Sequence, residues 1–162
     1  MSDHPTLQDI LDARARIAPH IRHTPMLRAE KIAPAAGCDL YLKPEVLQVT
    51  GAFKIRGALN AMLQLSPDQL ARGVISSSSG NHAQGLSWAA RLLGARVTLV
   101  LPVGTQALKV ANTRALGAEV ILYDGDTAAR WTQVYRIAAE QGFETVHGFE
   151  DPRVMAGQGT IG

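Results

Sequence analysis

A single cysteine, Cys38, stands among the 162 residues, so an internal disulfide and a cysteine-built zinc site are both excluded. No apolar stretch is long enough to span a bilayer. The first residues, Met1-Ser2-Asp3-His4-Pro5, are polar and lack the apolar segment of a secretory leader, which makes the cytoplasm the expected address. Neither sign of charge dominates. Sixteen Lys and Arg stand against 14 Asp and Glu, a formal +2, and no basic run marks a nucleic-acid surface. What the chain does have is apolar material: 46% of residues are hydrophobic, 19% are charged, and mean hydropathy is near zero. A chain of this size buries roughly 70% of its unfolded surface, enough for a core, and suits one domain or a little more.

Turn signals divide the chain into alternating elements. Thr6 is placed to cap a first helix with Leu7, Ile10, Leu11 and Ile17 on one stripe, stopped by Pro19. An extended piece at Thr24–Leu27, a brief helix ending at Ala36-Gly37 and a strand Leu40–Lys43 follow. Phe53–Leu65 reads as a helix with Ile55, Leu59, Met62 and Leu63 on one face; Ser66-Pro67 opens another. Strands are expected at Val74–Ser77, Arg96–Leu101, Glu119–Tyr123 and Glu144–His147, with helices at Ala83–Leu93, Ala107–Leu116 and Asp126–Gln141 between them. The joint Leu93-Gly94-Ala95-Arg96-Val97 is nearly repeated as Leu116-Gly117-Ala118-Glu119-Val120, and loosely at Gln141-Gly142-Phe143. Such alternation implies an α/β fold: a three-layer αβα arrangement around a mostly parallel open sheet. Ligands of such sheets bind at the carboxyl ends of strands, here the loops after Ser77, Leu101, Tyr123 and His147.

Two segments carry chemistry. In Thr50-Gly51-Ala52-Phe53-Lys54-Ile55-Arg56-Gly57, Lys54 falls in the first turn of a helix, facing the positive end of its dipole. Arg56 adds a neighbouring charge and Phe53 apolar cover; all three disfavour an ammonium and suit a nucleophilic, imine-forming lysine. An ordinary solvated lysine at a helix start is the competing reading. The run Ser76-Ser77-Ser78-Ser79-Gly80-Asn81-His82 joins a strand to a helix, where free backbone N–H groups and hydroxyls suit a carboxylate or phosphate. The competing reading is a polar turn whose serines only cap the helix. Gly157-Gln158-Gly159-Thr160-Ile161-Gly162 matches the dinucleotide fingerprint in spelling alone, since Pro152–Ala156 makes a poor strand before it. The five histidines form no metal constellation: Pro19 and Pro25 flank His20 and His23, and His147 at a strand end reads as capped or solvated. Asp124-Gly125-Asp126 reads as a turn with Asp126 as helix cap, and Trp88 and Trp131 as packing residues.

These stretches resemble the serine/threonine dehydratase branch, including the serine racemases, of the fold-type II, tryptophan synthase β-like, pyridoxal-phosphate enzymes. The resemblance rests on His23-Thr24-Pro25, Leu42-Lys43-Pro44-Glu45, Gln48–Ala58 with Lys54 at its centre, Ser78–Gly85, Lys109–Val120, Asp151-Pro152 and Ala156–Gly162, in order from about residue 20. It implies that Lys54 is the catalytic Schiff-base lysine to pyridoxal 5'-phosphate and removes the substrate α-proton. It implies that Phe53 packs near the cofactor ring, that Asn81 bonds its phenolic oxygen, and that Ser78, Ser79, Gly80 and His82 hold the substrate carboxylate. The implied reaction is β-elimination: L-threonine to 2-oxobutanoate and ammonia, or L-serine to pyruvate and ammonia. Ser79 is shared with serine racemases and hydroxyaspartate dehydratases, and in the racemases its hydroxyl acts as a second acid/base, so those activities stand as alternatives.

Family members run to about twice this length. The resemblance therefore implies an amino-terminal half: residues 1–73 the first part of a large domain, 74–149 a small αβ domain, 150–162 the start of the returning large domain. It places the glycine-rich phosphate cradle, and any divalent-cation site, beyond residue 162; no Gly-Gly-Gly run occurs here. The half alone is expected to have little activity and to expose apolar surface, and a non-catalytic half pairing with a relative is the remaining reading. The intact parent is expected to be a homo-oligomer, with no metal ligands in this part and no nucleic-acid or membrane partner.

Overall fold

Thr6 and Asp9 open the first helix reciprocally in the computed structural model, which describes residues 4–162. Thr6 Oγ1 accepts from Asp9 N and the Asp9 carboxylate accepts from Thr6 N, a capping box that starts α1 (Leu7–Ile17). Pro19 sits in the 3₁₀ turn Ala18–His20 that ends it. The expected apolar stripe is only partly used: Ile17 is buried, whereas Leu7 and Leu11 face outward, so α1 packs through Ala13 and Ile17. β1 (Leu27–Arg28) and β2 (Tyr41–Leu42) pair antiparallel around α2 (Ala33–Ala36), which Gly37 closes at φ 66°. After a 3₁₀ turn at Glu45–Leu47, Gly51 turns the chain at φ 68° into α3 (Lys54–Met62). Ser66 and Gln69 form a second capping box for α4 (Pro67–Arg72).

The remainder alternates as expected: β3 (Val74–Ser76), α5 (Asn81–Leu93), β4 (Val97–Pro102), α6 (Ala107–Ala115), β5 (Glu119–Tyr123), α7 (Thr127–Gln141) and β6 (Glu144–Thr145). Asp126 caps α7 by accepting from Ala129 N at 2.8 Å. The three repeated joints all turn through glycines at positive φ: Gly94 at 65°, Gly117 at 92° and Gly142 at 70°. The four strands form one parallel sheet in the order β5-β4-β3-β6. Side chains alternate across it. Val74, Val97, Leu99 and Leu101 face the larger core with α3, α5 and Val154; Ile75 and Val100 face Val134 of α7 on the other side. Helices therefore cover both faces, giving the three-layer α/β fold. The chain steps outward from β3 to β5, then returns to place β6 on the other side of β3. The sheet thus has a topological switch point between β3 and β6.

Residues 152–159 fold as a helix, α8 (Pro152–Gly159), so the glycine-rich tail follows no strand. Its glycines have a packing reason. A Cβ on Gly157 would lie 2.5 Å from the Arg56 carbonyl oxygen and 2.6 Å from Gly57 Cα, and one on Gly159 would strike Ile10 at 2.8 Å. Glycine there lets the backbones of α8 and α3 cross at contact distance. Every residue of α3 from Ile55 to Met62 is buried, so the helix has no solvent face and is shorter than its apolar pattern suggested; Leu63 serves as its C-cap.

Candidate active site

The switch point is where an open parallel sheet leaves a crevice at its carboxyl edge, because neighbouring loops diverge there. The loops after β3 and β6, not those after β4 and β5, form that crevice. A cleft of about 270 Å³ is lined there by Phe53, Lys54, Ser77, Ser78, Asn81, His82, Gly148 and Phe149. The amino ends of α3 and α5 both open onto it, and Lys54 and Asn81 are their first residues.

Lys54 Nζ donates to the Gly148 carbonyl oxygen at 2.9 Å, a neutral acceptor contributed by the other side of the crevice. Burial pushes its amine below the usual lysine pKa. Two of the sequence expectations about this shift need correction. Arg56 does not crowd Lys54; it turns to the opposite side of α3 and pairs with Glu45. Phe53 does not disfavour the cation: its ring centroid lies 5.2 Å from Nζ, a geometry that attracts an ammonium. Desolvation is what lowers the pKa.

His82 is buried, and burial pushes its pKa down to about 4, with Lys54 and His147 adding to the effect. Its Nε2 lies 3.4 Å from the Val146 oxygen, while its Nδ1 is buried with no partner among the described residues. Gly148 lies flat against the ring: a Cβ there would meet it at 3.1 Å. His147 is likewise buried, and burial lowers its pKa too. Its Nδ1 accepts from Glu150 N at 3.0 Å, its ring stacks on Trp131 at 4.1 Å, and Phe149 meets it edge-on at 4.4 Å. Trp131, expected as plain packing, thus supports the loop that carries Gly148.

The serines divide by role. Ser76 donates to the Val146 oxygen at 2.6 Å, joining β3 to the β6 loop. Ser77 accepts from Arg130 Nε at 2.7 Å. Ser78 Oγ accepts from Gly80 N at 3.3 Å. Ser79 and Gly80 are half-buried in the same loop and do not line the cleft. α5 has no side-chain cap, so its first N–H groups remain open towards the crevice. Gly148 and Phe149 were not singled out from sequence, and Ser77 was marked only as a member of the serine run. Gly148 contributes a backbone atom, which no residue pattern displays; the one signal was its position just after a strand end.

Among the described residues no group of His, Cys, Asp and Glu is arranged to hold a metal. The cleft suits an aldehyde on a flat ring. It offers a desolvated amine not locked to a carboxylate, an apolar ring face at Phe53, a polar amide at Asn81, and the unpartnered His82 Nδ1.

The family described as "Pyridoxal-phosphate dependent enzyme" matches residues 17–162. The chain belongs to that family. This pyridoxal-phosphate enzyme chain is 43% identical over 156 residues to the L-threo-3-hydroxyaspartate ammonia-lyase of Saccharomyces cerevisiae, covering 96% of the chain and 48% of that protein. It is 41% identical to the L-threonine ammonia-lyase of Thermotoga maritima, covering 97% of the chain and 39% of that protein. Maize serine racemase superposes on it with a TM-score of 0.90 at 36% identity, covering 96% of the chain and 47% of that structure. The chain is therefore a homologue of the threonine/serine dehydratases and serine racemases of fold type II. It spans about half the length of these relatives, or less.

Proposed function

We propose that this chain carries the lysine-bearing part of an enzyme that eliminates the β-hydroxyl of a small hydroxy amino acid: L-threonine to 2-oxobutanoate and ammonia, or L-serine to pyruvate and ammonia. The observation that carries the reading is the Lys54 amine, desolvated at the switch-point crevice and held by a neutral carbonyl. Pyridoxal 5'-phosphate, when bound, supplies an aldehyde carbon and a ring that accepts electrons from Cα. Lys54 holds the cofactor through Nζ, and Nζ then takes the Cα proton. Phe53 covers the ring and Asn81 bonds its phenolic oxygen. Ser78 and His82, which line the cleft, bind the substrate carboxylate together with the open N–H groups of α5, with Ser79 and Gly80 carried in the same loop. His82, kept neutral by burial, donates or accepts there without adding charge. The half-buried crevice limits water around the proton transfer.

A second reading has its own observation. Arg130 places a guanidinium against Ser77 at the cleft wall, a group that would pair with a second substrate carboxylate. It favours a hydroxyaspartate substrate, the one named for the yeast relative. Ser79 as a second acid/base would instead support racemisation of serine, and a non-catalytic half remains the outcome if no cofactor binds. We assign residues 74–149 as the small domain because the parallel sheet lies within them, although one apolar cluster runs from Ile17 and Leu59 across to Leu86 and Val146. We place the parent in the cytoplasm as a homo-oligomer. No helix among the described residues is long and apolar enough to cross a membrane, and organelle fractionation decides between cytoplasm and the mitochondrion named for a fission-yeast relative.

The test is borohydride trapping of added pyridoxal 5'-phosphate, followed by peptide mapping. The label is expected on Lys54 and is lost in Lys54→Ala; a label on another lysine, or none, overturns the reading. Release of 2-oxobutanoate from threonine, pyruvate from serine or oxaloacetate from hydroxyaspartate then sorts the substrates. Little turnover is expected from these 162 residues alone.

A further inference from the structure

α3 begins without a side-chain cap: Phe53 at its N-cap makes no capping bond, yet this first turn carries Lys54. The turn is anchored from its other side. Two positions along a helix are about 200° apart, so Arg56 points away from Lys54. Its guanidinium, 6% exposed, forks onto the Glu45 carboxylate, 12% exposed, through Nε–Oε2 and Nη2–Oε1 bonds of 2.8 Å each. Thr24 Oγ1 donates to Glu45 Oε1 at 2.6 Å, and Arg56 Nη1 donates to Thr160 Oγ1 at 3.3 Å. Lys43 Nζ donates to the Thr24 oxygen at 3.0 Å. The stretches around Thr24, Lys43-Pro44-Glu45 and Thr160 thus converge on one side chain of α3.

We propose that Arg56, locked by Glu45, is a positioning residue for Lys54: the pair fixes the first turn of α3 so that Nζ enters the cleft and stays out of water. The inference rests on Lys54 being the cofactor-binding amine. A buried ion pair is a poor device for stability alone, since an apolar pair of like volume often serves as well. The planar fork on a carboxylate fixes an orientation that packed methyls do not. Burial opposes ionisation of Glu45, but the Arg56 and Thr24 hydrogen bonds and the charges of Arg56 and Lys43 outweigh it and hold the carboxyl below its usual pKa. The titratable groups facing Lys54 are His82 on α5 and His147 after β6, with Glu150 and Asp151 behind them. Arg56 is not among them, so it acts through the backbone.

The experiment traps pyridoxal 5'-phosphate with borohydride on the 162-residue chain across a pH series and quantifies the Lys54 peptide by mass spectrometry. The urea midpoint is measured alongside. In the double variant Glu45→Met/Arg56→Met, the trapping midpoint is expected to rise by about one pH unit, which lowers trapping below the midpoint roughly tenfold. Its urea midpoint should stay level or rise. Arg56→Lys, which keeps the charge and loses the fork, should fall between this variant and the wild type, and it decides the matter if the double variant does not fold. A folded double variant, or Arg56→Lys, with the wild-type midpoint and yield overturns the inference. Labelling of a residue other than Lys54 in the wild type overturns the underlying reading instead.

Discussion

His82 sets the pH response of this fold. Its folded pKa of about 4 lies below the ordinary 6.5, chiefly through burial. Between those values the unfolded chain binds a proton that the folded chain refuses. The contribution is therefore complete above pH 6.5 and lost as pH falls towards 4. About 2 kcal/mol of unfolding free energy should disappear between pH 7.5 and pH 5. His147 is depressed in the same direction and adds to the loss; Glu45, a lowered carboxyl, acts only at more acidic pH. Urea titrations at the two pH values measure the drop, and His82→Gln should remove most of it. An unchanged drop in that variant would assign it to other groups. The helix-start position of Lys54 was legible at this scale, whereas an ordinary solvated lysine fitted the same few residues equally well. The direction of Arg56 was not legible, because two residues in one turn point apart and only the tertiary partner Glu45 shows where.

At the scale of elements, the crossing of α3 and α8 has the least slack. Gly157→Ala forces a Cβ against backbone atoms of Arg56 and Gly57, which cannot swing aside as a side-chain tip would. It should cost about 2 to 3 kcal/mol by urea unfolding. Gly104→Ala is the control, since a Cβ there meets nothing within 4 Å. The glycines of the tail look like a nucleotide fingerprint only when read without the helix they belong to. The αβ joints were legible, because a helix that ends in a left-handed glycine does so for local steric reasons. The shape of α3 was not. Its periodicity suggested one apolar face, whereas α5 and α8 pack against it and leave none exposed.

For the whole molecule, the apolar surface left uncovered has consequences. Among the described residues β1 and β2 pair only with each other, and Leu27, Tyr41, Leu42, Val46 and Leu47 are all exposed along them and the turn that follows. A two-stranded ribbon is marginal on its own, and exposed apolar groups drive association. Sedimentation velocity should show species heavier than the 17.3 kDa monomer. Val46→Lys with Leu47→Lys should shift the distribution back towards it. A wild-type chain that stays monomeric at every concentration contradicts this.

Local chemistry settled much without any structure. Caps at Thr6, Ser66 and Asp126, the glycine joints, the alternation of strand and helix, and a lysine at a helix mouth depend on neighbours a few residues apart, so the order of residues determines them. Tertiary structure decided which crevice among four strand ends is the site, because the return of β6 beside β3 is a long-range pairing. It also decided that the Gly148 carbonyl meets Lys54 across 94 positions of chain, and that Arg56 answers to Glu45 and Thr160. Those contacts follow from how packed layers close on one another, and no short stretch of sequence contains both partners.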